Sequence, residues 1–128
     1  MNTQTPFIQD HRKLPSTKYI SKTKAQFSHY FSGKLKKFTL PLDLQGTEFD
    51  KKVWKTAQKI SYGKVCTYKE IAQKIGQPLA SRAVGNALGR NPIPILVPCH
   101  RVIASDGTLG GYSSGLKIKK MLLSLENP

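Results

Sequence analysis

Three successive residues, Cys99, His100 and Arg101, have side chains that could do covalent chemistry together. A cysteine reacts as its thiolate, and an ordinary thiol with a pKa of ~8.5 holds only a few per cent thiolate at neutral pH. A neighbouring imidazole base and a guanidinium charge would raise that fraction. The segment before them, from Ile93 to Pro98, is apolar and rich in proline, which predicts a buried, rigid, extended chain. The pattern therefore predicts that Cys99 is a nucleophile.

The adjacency of Cys99 and His100 does not by itself make them a pair. Neighbouring residues of an extended chain point to opposite faces, so a turn at Cys99 or a bridging water would be needed. A buried structural cysteine is the alternative interpretation of Cys99. The second cysteine, Cys66, has no base beside it in the sequence, and we interpret it as structural.

Two capped helices are predicted upstream of the reactive segment. Apolar residues at helical spacing follow Thr47, which can cap that helix, and Glu48 and Asp50 lie at the positive end of its dipole. Thr67 and Glu70 have the spacing of a capping box, and the helix that they open is expected to end at Gly76.

A tight turn at residues 77–79 and a further helix from about Ala80 to Leu88 complete a pattern typical of a helix-turn-helix. An ordinary helical hairpin is the alternative. The second helix is predicted to bury Ala83, Val84, Ala87 and Leu88, and to present Ser81, Arg82 and Asn86 outward.

The two ends of the chain are predicted less sharply. We expect residues 1–22 to form an arm, Thr23 to Phe31 a short helix, and residues 35–44 an interrupted strand. A final helix is expected from about Leu116 to Leu125. Its inward residues would be Leu116, Met121, Leu122 and Leu125, and its water-facing residues Lys117, Lys119 and Lys120.

Composition narrows the class of protein. The 128 residues suit one domain, or one domain with an arm, and the formal net charge of +14 favours a polyanionic partner, by default nucleic acid. Residues 51–128 hold thirteen of the basic residues and three acidic ones. No apolar run approaches the ~18 residues of a membrane span, and no signal peptide is apparent. Two cysteines and three histidines match no zinc spacing, so we expect a reduced, cytoplasmic protein.

From about Gln45 to Glu126 the chain closely resembles the C-terminal domain of the O6-alkylguanine-DNA alkyltransferases, also called methylated-DNA–protein-cysteine methyltransferases. The resemblance covers about two-thirds of the chain. It is carried, in the family's order and spacing, by PLDLQGTEFDKKVW, YGKVCTYKEIA, SRAVGNALGRNPIPILVPCHRVI and GGYSSGLKIKKMLL. It implies a mainly α fold with a small β component, built on a winged-helix-like helix-turn-helix. It also implies a shortened N-terminal region at residues 1–44, with one helix, before the active-site and DNA-binding domain at residues 45–128.

The resemblance implies a role for each matching position. Cys99 would accept the alkyl group, and Glu126 would orient His100, which acts as a base through a water. Tyr68 would rotate the nucleotide's phosphate and give a proton to the leaving guanine, and Arg82 would fill the space left by the flipped base. The remaining expected DNA contacts are Ser81 and Asn86, and the expected residues of the alkylguanine pocket are Tyr112, Ser113, Val102 and Asn91.

The implied activity is DNA repair by direct reversal. The alkyl group would pass irreversibly from O6-alkylguanine in flipped-out duplex DNA to Cys99, once per molecule, and O4-alkylthymine stays open as a second substrate. The second helix would lie in the minor groove without sequence preference. The resemblance implies no cofactor, no metal, no membrane association and a monomer, located in the cytoplasm or, in a eukaryote, the nucleus.

Two other functions compete with this one. A non-catalytic alkyltransferase-like protein would bind alkylated DNA without accepting the alkyl group, but such proteins replace the acceptor cysteine, typically by Trp. A plain helix-turn-helix regulator would explain the charge and residues 67–88, but not the segment from Pro98 to Val102 or the loop that holds Tyr112.

Overall fold

The computed structural model describes residues 17–112 and 114–128, and within them the fold is mainly helical with one small sheet. Its elements in chain order are α1 (Thr17–Phe31), α2 (Glu48–Gln58), β1 (Cys66–Thr67), α3 (Tyr68–Lys74), α4 (Ser81–Gly89), a 3₁₀ helix (Cys99–Arg101), β2 (Val102–Ile103) and α5 (Leu116–Glu126). The expected mainly α fold with a small β component is confirmed. None of these helices is long and apolar enough to cross a membrane.

The chain divides into two compact units between Gln45 and Gly46. In the first unit, α1 begins at Thr17, so the expectation of an arm is wrong for residues 17–22 and lies outside the described residues for 1–16. Two polar side chains of this helix, Lys22 and Gln26, bond Thr39 in the segment that follows it. Lys22 Nζ donates to Thr39 O at 3.5 Å, and Gln26 Nε2 donates to Thr39 Oγ1 at 2.6 Å.

The stretch at residues 35–44 forms no strand, contrary to expectation. Instead the Thr39 amide donates to the Gln26 side chain at 3.1 Å, so a side chain satisfies a backbone group that a strand would pair. The Phe38 ring lies 5.1 Å from that of Phe27 and 5.4 Å from that of Tyr30. Aromatic packing of this kind orders the stretch without a sheet.

In the second unit, α2 is anchored at its start and in its middle. Thr47 Oγ1 accepts from the Asp50 amide at 3.0 Å, which confirms the predicted cap. Trp54 is 1% exposed, and its Nε1 donates to Ala87 O at 2.9 Å, which ties α2 to α4. A Cβ on Gly46 would lie 2.6 Å from the Trp54 ring, so only glycine lets the chain pass there.

The helices α3 and α4 form the expected helix-turn-helix. The capping box is present: Thr67 Oγ1 accepts from the Glu70 amide at 3.0 Å, and Glu70 Oε1 accepts from the Thr67 amide at 2.8 Å. Along α4 the predicted inward residues Val84, Ala87 and Leu88 are buried, but Ala83 is exposed. Its single methyl group gains little from burial, so the larger residues decide the rotation of the helix.

The segment before Cys99 is buried from Leu96 onward, but it is bent rather than extended. The Ile95 φ of +79° marks a tight loop, and the Val97 amide donates to Ile93 O at 3.2 Å. Asn91 shapes this loop by donating from Nδ2 to Val97 O at 2.8 Å and by accepting from the Ile93 amide at 3.0 Å. The prolines exclude an α-helix here, as expected. The segment nevertheless forms a loop, because the Asn91 side chain bonds two of its backbone groups.

Two short strands and the last helix close the unit. Cys66 pairs with Val102 and Thr67 with Ile103 in parallel. On α5, Leu122 is buried and Lys117 and Lys120 are exposed as predicted. However, Leu116 and Met121 are 51% and 52% exposed, and Lys119 is fully buried. The helix is therefore rotated relative to the sequence prediction, because Lys119 finds hydrogen-bond acceptors inside the protein.

We expect Thr67→Ala to lower the free energy of unfolding by about 1 kcal/mol, because it removes the hydroxyl that caps α3. Thr67→Ser keeps the hydroxyl and serves as the matched control. Urea denaturation of both variants measures the difference. Equal stabilities of the alanine and serine variants would contradict a role for the cap.

Candidate active site

A cavity of about 580 Å³ lies between the helix-turn-helix and the loop after β2. Six of the residues singled out in the sequence line it: Tyr68, Ser81, Arg82, Asn86, Cys99 and Tyr112. They come from α3, α4, the 3₁₀ helix and the loop before α5. The fold therefore brings the expected acceptor and the expected DNA contacts to one opening.

Cys99 lies at the start of the 3₁₀ helix and is 4% exposed. The backbone turns at this residue, which was one of the two conditions under which Cys99 and His100 could act together. Asn91 Nδ2 donates to Cys99 Sγ at 3.1 Å. Burial raises the pKa of the Cys99 thiol above its ordinary value, while Asn91, Tyr112 and Lys119 act to lower it. The thiol therefore needs a base to remove its proton.

His100 is fully buried beside a carboxylate from the last residue of α5. Its Nε2 lies 2.7 Å from Glu126 Oε2. Arg101 holds the same carboxylate through Nε at 2.7 Å and Nη2 at 2.9 Å, and its Nη1 donates to Ile60 O at 2.8 Å. A buried carboxylate is costly unless it is paired, and here the guanidinium supplies the opposite charge. Paired in this way, the Glu126 carboxylate accepts a hydrogen bond from His100 Nε2.

The other ring nitrogen of His100, Nδ1, is buried and has no hydrogen-bond partner among the described residues. With Nε2 bound to Glu126, Nδ1 is the nitrogen that carries the lone pair in the neutral ring. A buried polar atom of this kind points to a function, since such atoms are normally satisfied. Nδ1 is therefore the atom of His100 that is available as a base.

Tyr68, the first residue of α3, reaches across the cavity to the loop before α5. Its hydroxyl donates to Gly111 O at 3.3 Å. Burial raises the pKa of Tyr68 above its ordinary value, so the phenol keeps its proton at neutral pH. A protonated phenol beside the cavity is able to donate.

The exposed face of α4 forms the open side of the cavity. Arg82 and Asn86 are exposed, as the sequence analysis expected, whereas Ser81 is only half-exposed. Gly85 and the exposed Ala83 add only small groups to this face beside Arg82 and Asn86. Its first turn contains no acidic residue, so the positive helix end is not neutralised locally.

The four residues expected in the alkylguanine pocket are placed differently from one another. Tyr112 lines the cavity. Its buried hydroxyl has no hydrogen bond within the ordinary distance limit to any described residue, but it lies close enough to Cys99 that each residue affects the pKa of the other. Asn91 is buried beneath the thiol, and Val102 is fully buried with its carbonyl bound to Lys119 at 2.6 Å; neither lines the cavity. Ser113 lies outside the described residues.

Two residues near the site were missed or undervalued in the sequence. Arg101 was noted for its charge, but its pairing with Glu126 needed the fold, because 25 residues separate them. Lys119 was assigned to the water-facing side of α5. Lys119 is three residues before Leu122, which packs inward, so the two lie on the same face of the helix. That spacing was the one feature of the sequence that indicated a buried Lys119. Among the described residues no group of three His, Cys, Asp or Glu side chains is placed to hold a metal ion.

The fold and the site define a helix-turn-helix protein with a buried cysteine facing a cavity that is open along the second helix. Residues 48–128 match the family model described as 6-O-methylguanine DNA methyltransferase, DNA binding domain. The methylated-DNA–protein-cysteine methyltransferase of Methanosarcina barkeri is 55% identical over 113 residues, which are 88% of this chain and 72% of that protein.

Solved structures agree with this match. The crystal structure of Mycobacterium tuberculosis OGT in complex with DNA has a TM-score of 0.82 and 51% identity, covering 83% of this chain and 66% of that one. S. pombe Atl1, in complex with damaged DNA containing O6-carboxymethylguanine, has a TM-score of 0.57 and 40% identity, covering 65% of this chain and 79% of that one. The chain belongs to the 6-O-methylguanine DNA methyltransferase family.

Gly110 and Gly111 offer a matched test of how the loop positions Tyr68. Gly110 has a φ of +71°, and a Cβ there would lie 2.6 Å from the Tyr68 hydroxyl, whereas a Cβ on Gly111 meets nothing within 4 Å. We expect Gly110→Ala to lower the free energy of unfolding by about 1–3 kcal/mol, since it adds backbone strain and a clash. Gly111→Ala should change it by less than about 0.5 kcal/mol. Thermal or urea unfolding compares them, and equal effects would show that the contact with Tyr68 does not constrain the loop.

Proposed function

We propose that this chain repairs DNA by transferring the alkyl group of O6-alkylguanine to its own Cys99. The observation that carries the proposal is the position of the Cys99 thiol. It lines a cavity open along α4, while His100 and Arg101, which follow it in the chain, are buried and bind Glu126. The family and the relatives bound to DNA support the same activity.

The reaction is a displacement at the alkyl carbon. A bond forms between Cys99 Sγ and that carbon as the bond from the carbon to O6 of guanine breaks. The thiol proton passes to His100 Nδ1 through a water, and Glu126 stabilises the resulting imidazolium through Nε2. Arg101 keeps Glu126 ionised and fixed in place. The product is a thioether, which no group of the site is able to cleave, so each molecule reacts once.

The leaving guanine must gain a proton as the bond to O6 breaks. Tyr68 is suited to donate it, because its phenol lines the same cavity as Cys99 and its raised pKa keeps it protonated. Donation requires the hydroxyl to leave Gly111 O, a contact of 3.3 Å that is weak enough to exchange.

The guanine must also leave the base stack, since its O6 is not accessible to a buried thiol inside a duplex. Flipping costs a few kcal/mol. Arg82 is exposed on α4 at the rim of the cavity, where its side chain would fill the gap in the duplex. Ser81 and Asn86 on the same helix are placed to contact the backbone of the DNA. The small residues Ala83 and Gly85 of this face suit close approach along a minor groove.

Binding of damaged DNA without transfer is the alternative function. It is considered because the chain is similar to S. pombe Atl1, whose structure holds damaged DNA. It is not favoured, because this chain has the acceptor thiol at Cys99 and a buried histidine–carboxylate pair beside it. The proposed substrate is genomic DNA, so the proposal also places the protein where that DNA is, in the cytoplasm or, in a eukaryote, the nucleus.

The direct test is mass spectrometry after mixing the protein with a duplex that contains one O6-methylguanine. We expect one methyl group per protein molecule, on the peptide that contains Cys99. Cys66→Ser should react as the unchanged protein does, and Cys99→Ser should gain no methyl group. Lesion-preferring binding without any gain in mass would instead support the binding-only alternative.

Arg82→Ala tests the division between base flipping and chemistry. We expect repair of a duplex to slow by about tenfold or more, since flipping loses part of the energy that offsets its cost. Reaction with free O6-benzylguanine should change little, because no base is flipped. Lys55→Ala removes an equal charge from an exposed site on α2 and is the control. Equal losses for duplex and free base would rule out the role of Arg82 in flipping.

A further inference from the structure

Lys119 is the most unusual charged residue of the fold. It is fully buried on α5, between exposed Lys117 and Lys120. Its Nζ donates to three backbone carbonyls: Val102 O at 2.6 Å, Gly111 O at 3.0 Å and Leu109 O. An ammonium has three N–H groups, so the three carbonyls match its charged form completely. This site is built for a cation.

The carbonyls place that cation behind the wall of the cavity. Val102 directly follows the 3₁₀ helix that begins at Cys99, and its amide donates to Cys99 O. Gly111 lines the cavity, as does Tyr68, whose ring centroid lies 5.8 Å from Lys119 Nζ. The ammonium therefore lies next to the three elements that surround the thiol.

The other nearby cations are arranged differently. The charge of Arg101 is matched by Glu126 in a close salt bridge, and His100 binds the same carboxylate. Arg82 lies on the exposed rim, where water screens its charge. All three hydrogen bonds of Lys119 Nζ go to carbonyls, which carry no net charge and leave its positive charge to act across the cavity wall.

We infer that Lys119 is the electrostatic partner of the Cys99 thiolate: its buried ammonium stabilises the negative charge on sulfur after His100 has removed the proton. Lys119 exchanges no proton in this step and touches neither the thiol nor the alkyl group. The inference deepens the proposed function. It depends on that function for what the thiolate reacts with, but the stabilisation of the thiolate by Lys119 does not depend on it.

The directions of the pKa shifts agree with the geometry. Lys119 acts to lower the pKa of Cys99, and Cys99 in turn acts to raise that of Lys119, which burial lowers to about 8. The other titratable groups facing the thiol are Tyr68 from α3, Tyr112 from the loop and the adjacent His100. Burial raises the pKa of both tyrosines, so they stay neutral at the pH where the thiol ionises.

The test is the pH dependence of alkylation of Cys99 by iodoacetamide, followed by mass spectrometry of its peptide. In Lys119→Met, which keeps the length of the side chain without its charge, we expect alkylation to be about tenfold slower at neutral pH, where Lys119, with a pKa of about 8, still carries its charge. At higher pH the lysine of the unchanged protein loses its proton, so the two rates should converge. Lys117→Met removes an exposed charge from the same helix and should leave the rate unchanged.

An equal rate of alkylation at neutral pH in Lys119→Met and in the unchanged protein would overturn the inference. Faster alkylation at every pH would overturn it as well, since that result means that Lys119 only seals the loop against solvent. If the variant does not fold, the pKa of Lys119 is measured by NMR of its side chain in Cys99→Asp, which puts a negative charge near the position of the thiolate, and in the neutral control Cys99→Asn. Coupling is reciprocal, so that pKa should be higher in Cys99→Asp, and identical values would refute the coupling.

These readouts use iodoacetamide and NMR, and they involve no DNA. The loss of alkyl transfer from O6-methylguanine would therefore count against the proposed function and leave the result for Lys119 intact. An unchanged rate of iodoacetamide alkylation at neutral pH in Lys119→Met would count against Lys119 alone.

Discussion

The carboxylate of Glu126 is the interaction on which the site depends. It joins the last residue of α5 to the 3₁₀ helix, because His100 and Arg101 both bind it. Without Arg101 the buried carboxylate would lose the opposite charge that offsets its burial. Breaking a buried ion pair by removing one partner typically costs about 3–5 kcal/mol. The same contact thus holds the end of the chain in place and determines which nitrogen of His100 is the base.

The charged residues of the site fall into a paired group around Glu126 and a single lysine, Lys119. Glu126, His100 and Arg101 form a closed group buried beside Cys99, where the positive and negative charges cancel. Lys119 is not part of this group: its three hydrogen bonds go to carbonyls, and Asn91 donates to the sulfur directly. Burial raises the pKa of the Cys99 thiol, and Asn91 and Lys119 act against that rise.

Local sequence signals predicted much of this fold correctly. A helix cap depends on residues only three apart, so the caps at Thr47 and Thr67 could be predicted from the order of residues alone. The helix-turn-helix followed from apolar spacing and a turn. The errors came where distant residues intervene. Gln26 bonds Thr39 where a strand was expected, Asn91 turns an apparently extended segment into a loop, and three carbonyls bind Lys119 inside the protein.

The order of residues was enough to predict the family, the residue types of the site and the excess of positive charge, because motif spacing and composition are properties of the chain alone. Which atoms act together depends on the packing of the helices and strands. Glu126 meets His100 across 26 residues, and Lys119 meets Val102 across 17. Such contacts depend on how α5 packs against the 3₁₀ helix and β2. Packing is a sum of many small terms over the whole core, and no local pattern contains it.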